Sequence, residues 1–122
     1  MNAEDFEVFE RSIGIASKTL SIAAMISVKR NYFRKLKPDR SQIGWSYGFC
    51  DSYAQTIGLV EDNHFITFIS CIFENVYGKS GLKYFKDVAL LPDNFSKWML
   101  EGGNAHLNWV HEGKSPLMPM RS

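Results

Sequence analysis

Apolar side chains recur along most of this chain at the three- and four-residue spacing of a helix, and no convincing run shows the two-residue spacing of a half-buried strand. The first run starts near Asn2 or Ala3. Asn2 is a good N-cap, Asp5 three residues on is a capping-box variant, and the crowd of Glu4, Asp5, Glu7 and Glu10 suits the positive end of a helix dipole. Phe6, Phe9, Ile13, Ala16, Leu20 and Ala23 then fall on one face. A second set, Val8, Ile15, Ile22 and Ile26, widens that face and predicts a helix buried on most sides through its middle. Lys37 has to leave the helical region before Pro38, so "KPDRSQIG" reads as a loop.

A second helix is expected from about Trp45 to Ile57, closed by Gly58. A third opens with Asp62 or Asn63 as cap, carries Phe65, Phe68, Ile69, Ile72, Phe73 and Val76, and stops at Gly78. "ITFISCIF" has the composition of a strand, but its length and caps favour this helix. A short segment, Leu82 to Leu90, presents Leu82, Phe85, Val88 and Ala89 before Pro92. "PDNFSKWML" restarts the pattern, with Asp93 or Asn94 as cap and Phe95, Trp98 and Met99 turned inward. Gly102-Gly103 either ends that helix, with Asn104 capping another to about Glu112, or lies within it at a close contact. The reading is an all-α single domain over residues 1–112, a compact bundle of five or six helices with a long N-terminal helix. An irregular, Pro-containing tail, 113–122, is expected to be extended or mobile.

The first helix creates a size problem. About 30 residues at ~1.5 Å each span roughly 45 Å, whereas a compact domain of this length is roughly 35 Å across. The helix must kink, break or project, with Gly14 and Asn31 as its weak points, and a projecting apolar end would invite a partner.

Composition narrows the class. At 122 residues the chain has room for one core, and 45% hydrophobic with 22% charged residues is ordinary for a globular domain. A net charge of +1 carries no global commitment to nucleic acid. Two cysteines, Cys50 and Cys71, make no disulfide framework, which points to a reducing, cytoplasmic setting. The acidic start does not fit a secretory signal. The most apolar stretch, Ile13 to Val28, contains Lys18 and four hydroxyl residues and is too short to span a bilayer.

Candidate chemistry is sparse. The stretch "GWSYGFCDSYAQTIG" holds Cys50 beside Asp51, but sequence neighbours on a helix point about 100° apart, and a thiol nucleophile needs a histidine to activate it. The same stretch carries Gly44, Gly48 and Ser52 every four residues, a smooth stripe beside a bulky one of Trp45, Phe49, Tyr53 and Ile57. The first helix has a matching row at Ser12, Ala16, Ala23 and Ser27. Small residues at this spacing let two helices approach closely. Tyr47, Asp51 and Gln55 form a polar stripe able to hold a polar ligand, or to act as a solvated edge or internal brace. A DNA-reading helix-turn-helix is disfavoured because the helix after Gly58 has no Lys or Arg.

His106 and His111 are five apart and diverge by about 140° on a helix, and no metal motif, calcium loop or phosphate cradle is present, so no cofactor or metal is expected. Lys29, Arg30, Arg34, Lys35, Lys37 and Arg40 form one basic segment, interleaved with Tyr32 and Phe33, that could contact phosphates or an acidic partner. The expected function is therefore non-enzymatic: a small adaptor, regulator or immunity/inhibitor-type protein acting on another protein or on itself as a homodimer. Nucleic-acid binding through Lys29 to Arg40 is the alternative.

Overall fold

The structure is a computed structural model describing residues 1–27 and 37–119. Among these residues all regular structure is helical: α1 (Ala3–Ser27), α2 (Arg40–Thr56), α3 (Asp62–Tyr77), α4 (Gly81–Leu90) and α5 (Ser96–Glu112), with 3₁₀ turns at Gly78–Ser80 and Pro92–Asn94. Four long helices carry the fold where five or six were expected. The segment α4 is a short connecting helix, and the anticipated break at Gly102-Gly103 does not occur, because both glycines lie inside α5.

Local chemistry sets the helix ends. The Asp5 amide donates to the Asn2 side chain at 2.8 Å, and the Phe6 amide to the Asn2 carbonyl at 2.9 Å, so Asn2 caps α1 as its sequence predicts. Gly58 and Gly78, with φ of +79° and +67°, stop α2 and α3 in a conformation that side chains resist. The start of α2 corrects the sequence reading. "KPDRSQIG" is not a loop throughout: Asp39 caps a helix that begins at Arg40, accepting from the Gln42 amide, while the Gln42 side chain accepts from the Asp39 amide. This is a capping box, and Pro38 stands just outside it.

The helix α1 runs unbroken through Gly14 and is ~37 Å long over its described residues; Asn31, the other expected weak point, lies outside the described residues. Its burial is one-sided, which overturns the expectation of a helix covered on most sides. Phe9, Ser12, Ala16, Leu20, Ala23 and Ala24 are buried, while Phe6, Val8, Ile15, Ile22, Met25 and Ile26 are exposed. The buried row packs mainly on α3: Phe9 meets Phe68 at 5.8 Å between ring centroids, and the Asn75 amide donates to Ser17 Oγ at 3.1 Å. Those two pairings advance together, so α1 and α3 run in the same direction.

The dominant contact joins α2 to α5. Phe95 and Trp98 face Gly44, Met99 faces Gly48, and His106 meets Ser52, so this pair is also parallel. The smooth stripe of α2 thus does bring two backbones together, but its mate is the Gly102-Gly103 pair of α5 and not the small row of α1. A Cβ on Gly48 would land on the Met99 carbonyl group, and one on Gly102 on that of Trp45. With the backbones this close, the neighbouring stripe of Trp45, Phe49 and Tyr53 fills the space beside the seam; Trp45 and Phe49 stack at 5.6 Å. Below them, Phe68, Ile69, Ile72 and Phe73 of α3 and Phe85 and Val88 of α4 complete the core. Of the apolar residues named in α4, Phe85 and Val88 are buried, while Leu82 and Ala89 are exposed.

The tail is irregular through Pro119, yet it is docked. Met118 is buried, Ser27 Oγ lies 3.9 Å from its sulfur, and the buried Gln42 amide donates both to Ser27 Oγ (2.9 Å) and to the Pro119 carbonyl (3.1 Å). One side chain thereby ties together the end of α1, the start of α2 and the C-terminal segment.

Candidate functional site

Of the six basic residues named from sequence, Lys29, Arg30, Arg34 and Lys35 lie outside the described residues. Lys37 is exposed, and Arg40 is exposed on the first turn of α2 with its guanidinium 6.0 Å from the centre of the Phe95 ring. The polar stripe divides. Tyr47 is half-buried against Phe65 and Phe85, at 6.4 and 6.0 Å between centroids, and burial, reinforced by Asp51 and Cys50, raises its pKa. Gln55 donates to Asp51 at 3.0 Å on an outer edge of α2. The three residues therefore do not converge on a common point: Tyr47 braces α3 and α4, and Asp51 with Gln55 forms an edge pair beside the α2–α5 seam.

Neither thiol is activated. Cys50 is fully buried, and burial, with Asp51 adding to it, pushes its pKa well above the ordinary range. Cys71 is half-buried and shifted upward by burial and by Glu74. A thiolate is disfavoured at both. Among the described residues, no cluster of three or more His, Cys, Asp or Glu is placed to hold a metal ion, and no helix is long and apolar enough to cross a membrane.

One polar constellation escaped the sequence reading. His106 is only 1% exposed, and its Nδ1 lies 2.8 Å from Ser52 Oγ across the α2–α5 seam. Its ring is wedged between Phe49, Tyr53 and Trp109, with centroids at 5.1, 5.0 and 5.9 Å, and its Nε2 is buried with no hydrogen-bond partner among the described atoms. Burial, with a smaller push from His111, lowers the His106 pKa to about 4, so the ring is neutral near pH 7. Other helical hydroxyls, Thr19, Ser46, Thr56 and Thr67, donate to the carbonyl four residues back, whereas Ser52 pairs with the imidazole.

A sequence signal for this burial did exist. Gly102, His106 and Trp109 are spaced at four and three, so His106 shares the face on which a mid-helix glycine announces close packing. An open recess of about 400 Å³ adjoins the ring, walled by Ile15, Tyr53, Thr56, Ile57, Trp109 and Val110. No family model, curated protein or solved structure matches this chain.

Proposed function

We propose that this chain is a non-enzymatic interaction protein, of the adaptor, regulator or immunity/inhibitor type, that presents the outer face of α1 to a protein partner. The simplest partner is a second copy of itself. One observation carries the reading: Val8, Ile15, Ile22 and Ile26, at 43, 41, 50 and 60% exposure, form one apolar line along the outside of α1. Spacings of seven, seven and four keep them on one side of a helix, and an aligned apolar row is the mark of a contact surface where scattered exposed leucines are not. Arg11 and Lys18 flank the row.

Catalysis has weaker support. The Ser52–His106 pair is a hydroxyl on an imidazole, but acyl transfer also needs donors for the developing oxyanion. The amides around Ser52 and His106 belong to helix interiors and are spent on helical hydrogen bonds. Ser52 is accordingly expected to resist a fluorophosphonate probe.

Ile15→Glu/Ile22→Glu tests the interaction surface without touching the core. Light scattering coupled to size exclusion at tens of micromolar should give about twice the 14.0 kDa chain mass for the parent and a monomer for the variant. A monomeric parent whose captured partners are unchanged in the variant would sink the proposal.

A further inference from the structure

The buried, unpartnered Nε2 of His106 and the adjoining recess are not accounted for by an apolar row on α1. We propose that Ser52 donates to Nδ1, which leaves the ring proton on Nε2, and that this recess binds a small, mostly apolar molecule, aromatic or branched aliphatic, that carries one hydrogen-bond acceptor for that Nε2–H. The walls come from three helices: Ile15 from α1, Tyr53, Thr56 and Ile57 from the end of α2, and Trp109 and Val110 from α5. Its volume of about 400 Å³ sits at the small end of ordinary ligand pockets, enough for one substituted ring. Walls of this kind supply affinity by burying apolar surface, and a single placed polar group supplies orientation.

His106 is suited to be that group. Ser52 pins the ring through Nδ1, and Phe49, Tyr53 and Trp109 hold its plane, so the donor is fixed in direction. Nε2 has no hydrogen-bond partner among the described atoms. A buried donor without a full partner is costly, and a ligand acceptor relieves that cost. Nε2 has no contact with solvent. An acceptor reaches it by displacing a rim side chain, and both Ile15 and Val110 are exposed and free of polar ties among the described contacts. The entering molecule therefore gives an unpartnered buried group its hydrogen bond, while an apolar molecule of the same shape makes no such gain.

The probes are acetophenone, which has the acceptor, and ethylbenzene, which has the same ring and lacks it. Long-range ¹H–¹⁵N spectra of the histidine rings should show a protonated Nε2 in the free protein and a saturable shift of that resonance with acetophenone at low millimolar concentration. Ethylbenzene should bind at least about tenfold more weakly, the cost of leaving the donor without an acceptor. Val110→Trp, at an exposed rim position, should abolish binding with the fold intact. His106→Phe should erase the preference between the two probes, and if that variant fails to fold, Val110→Trp and the spectra still decide. Three results overturn the proposal: a proton found on Nδ1, equal affinity for both probes, or binding that survives Val110→Trp. Absence of any shift with either probe overturns it as well. Ile15 belongs to both the α1 row and the recess wall, but Val110 and His106 lie on α5, so these variants test the recess apart from the interaction reading.

Discussion

Adding one carbon atom at Gly48 should destabilise the protein, although alanine is the better helix former. An ideal Cβ at Gly48 falls 2.6 Å from the Met99 carbonyl carbon and 2.8 Å from its Cα, with the oxygen nearer still. Carbon atoms prefer about 3.5–4.0 Å, so the two helices must part by roughly 1 Å. The obstruction is backbone and cannot swing aside. Overpacking of this kind costs about 1–3 kcal/mol. The Ser52–His106 bond crosses the same seam at 2.8 Å. Parting by roughly 1 Å stretches it beyond a useful length and leaves buried polar atoms unsatisfied, a further ~1–3 kcal/mol. Helix propensity returns nearly 1 kcal/mol. The net loss is about 1–5 kcal/mol, a large part of the ~5–15 kcal/mol available to a domain. Urea and thermal unfolding followed by circular dichroism measure it directly. Gly14→Ala is the matched control: it lies on α1 with nothing within 4 Å of the added carbon and should gain stability by up to about 1 kcal/mol. Gly102→Ala should behave like Gly48→Ala, and the double variant should lose less than the sum because one separation relieves both clashes. A Gly48→Ala protein as stable as the parent would show that the helices slide apart at no cost and that the close-approach argument is wrong.

The folded pKa of His106, about 4, lies below its ordinary 6.5, so the unfolded chain takes up the proton first as pH falls. Stability is full above about pH 6.5 and drains by roughly 3 kcal/mol on the way to about pH 4; urea midpoints across that range should slope in the parent and flatten in His106→Phe, and an unchanged slope refutes the assignment. Met118→Ala empties a buried site against Ser27 and should cost about 2 kcal/mol in the same assay, whereas a free-hanging tail would show no change. Salt titrations with duplex DNA and single-stranded RNA are expected to show no binding. Affinity that falls steeply with salt, and is lost on charge reversal at Arg30, Arg34 and Lys35, would replace the protein-interaction reading by nucleic-acid binding through that segment.

What could be read from the sequence was local. Asn2 and the stops at Gly58 and Gly78 act within one turn of chain, and their positions follow from cap and glycine chemistry alone. The capping box at Asp39 is equally local, but Pro38 ahead of it carries the same signature as a loop boundary. Non-local choices were not legible. Apolar residues surround α1, so periodicity could not decide between the Phe9–Ala16–Leu20 side and the Val8–Ile15–Ile22 side. The glycine stripe of α2 announced a close approach but named no mate, since small residues at Ser12 and Ala16 match that pattern as well as Gly102 and Gly103 do. Spacing along one helix relates His106 only to residues such as His111, while its partner, Ser52, sits on another helix.

The parallel pairing of α1 with α3 and of α2 with α5 bears on how the chain reaches this state. In an up-and-down bundle each helix meets its main partner across a short loop soon after it is made. Here the glycine face of α2 waits until most of the remaining chain has emerged before α5 can cover it, and both parallel pairings close a long loop first, whereas α3 meets α4 across a short turn. Such topologies fold more slowly than their helix content suggests. During the interval Trp45, Phe49 and Tyr53 lie open beside the seam, and the α5 of a neighbouring chain fits it as well as the chain's own. Refolding at high concentration should therefore yield exchanged dimers, in which two chains trade α5, at the expense of the intramolecular fold.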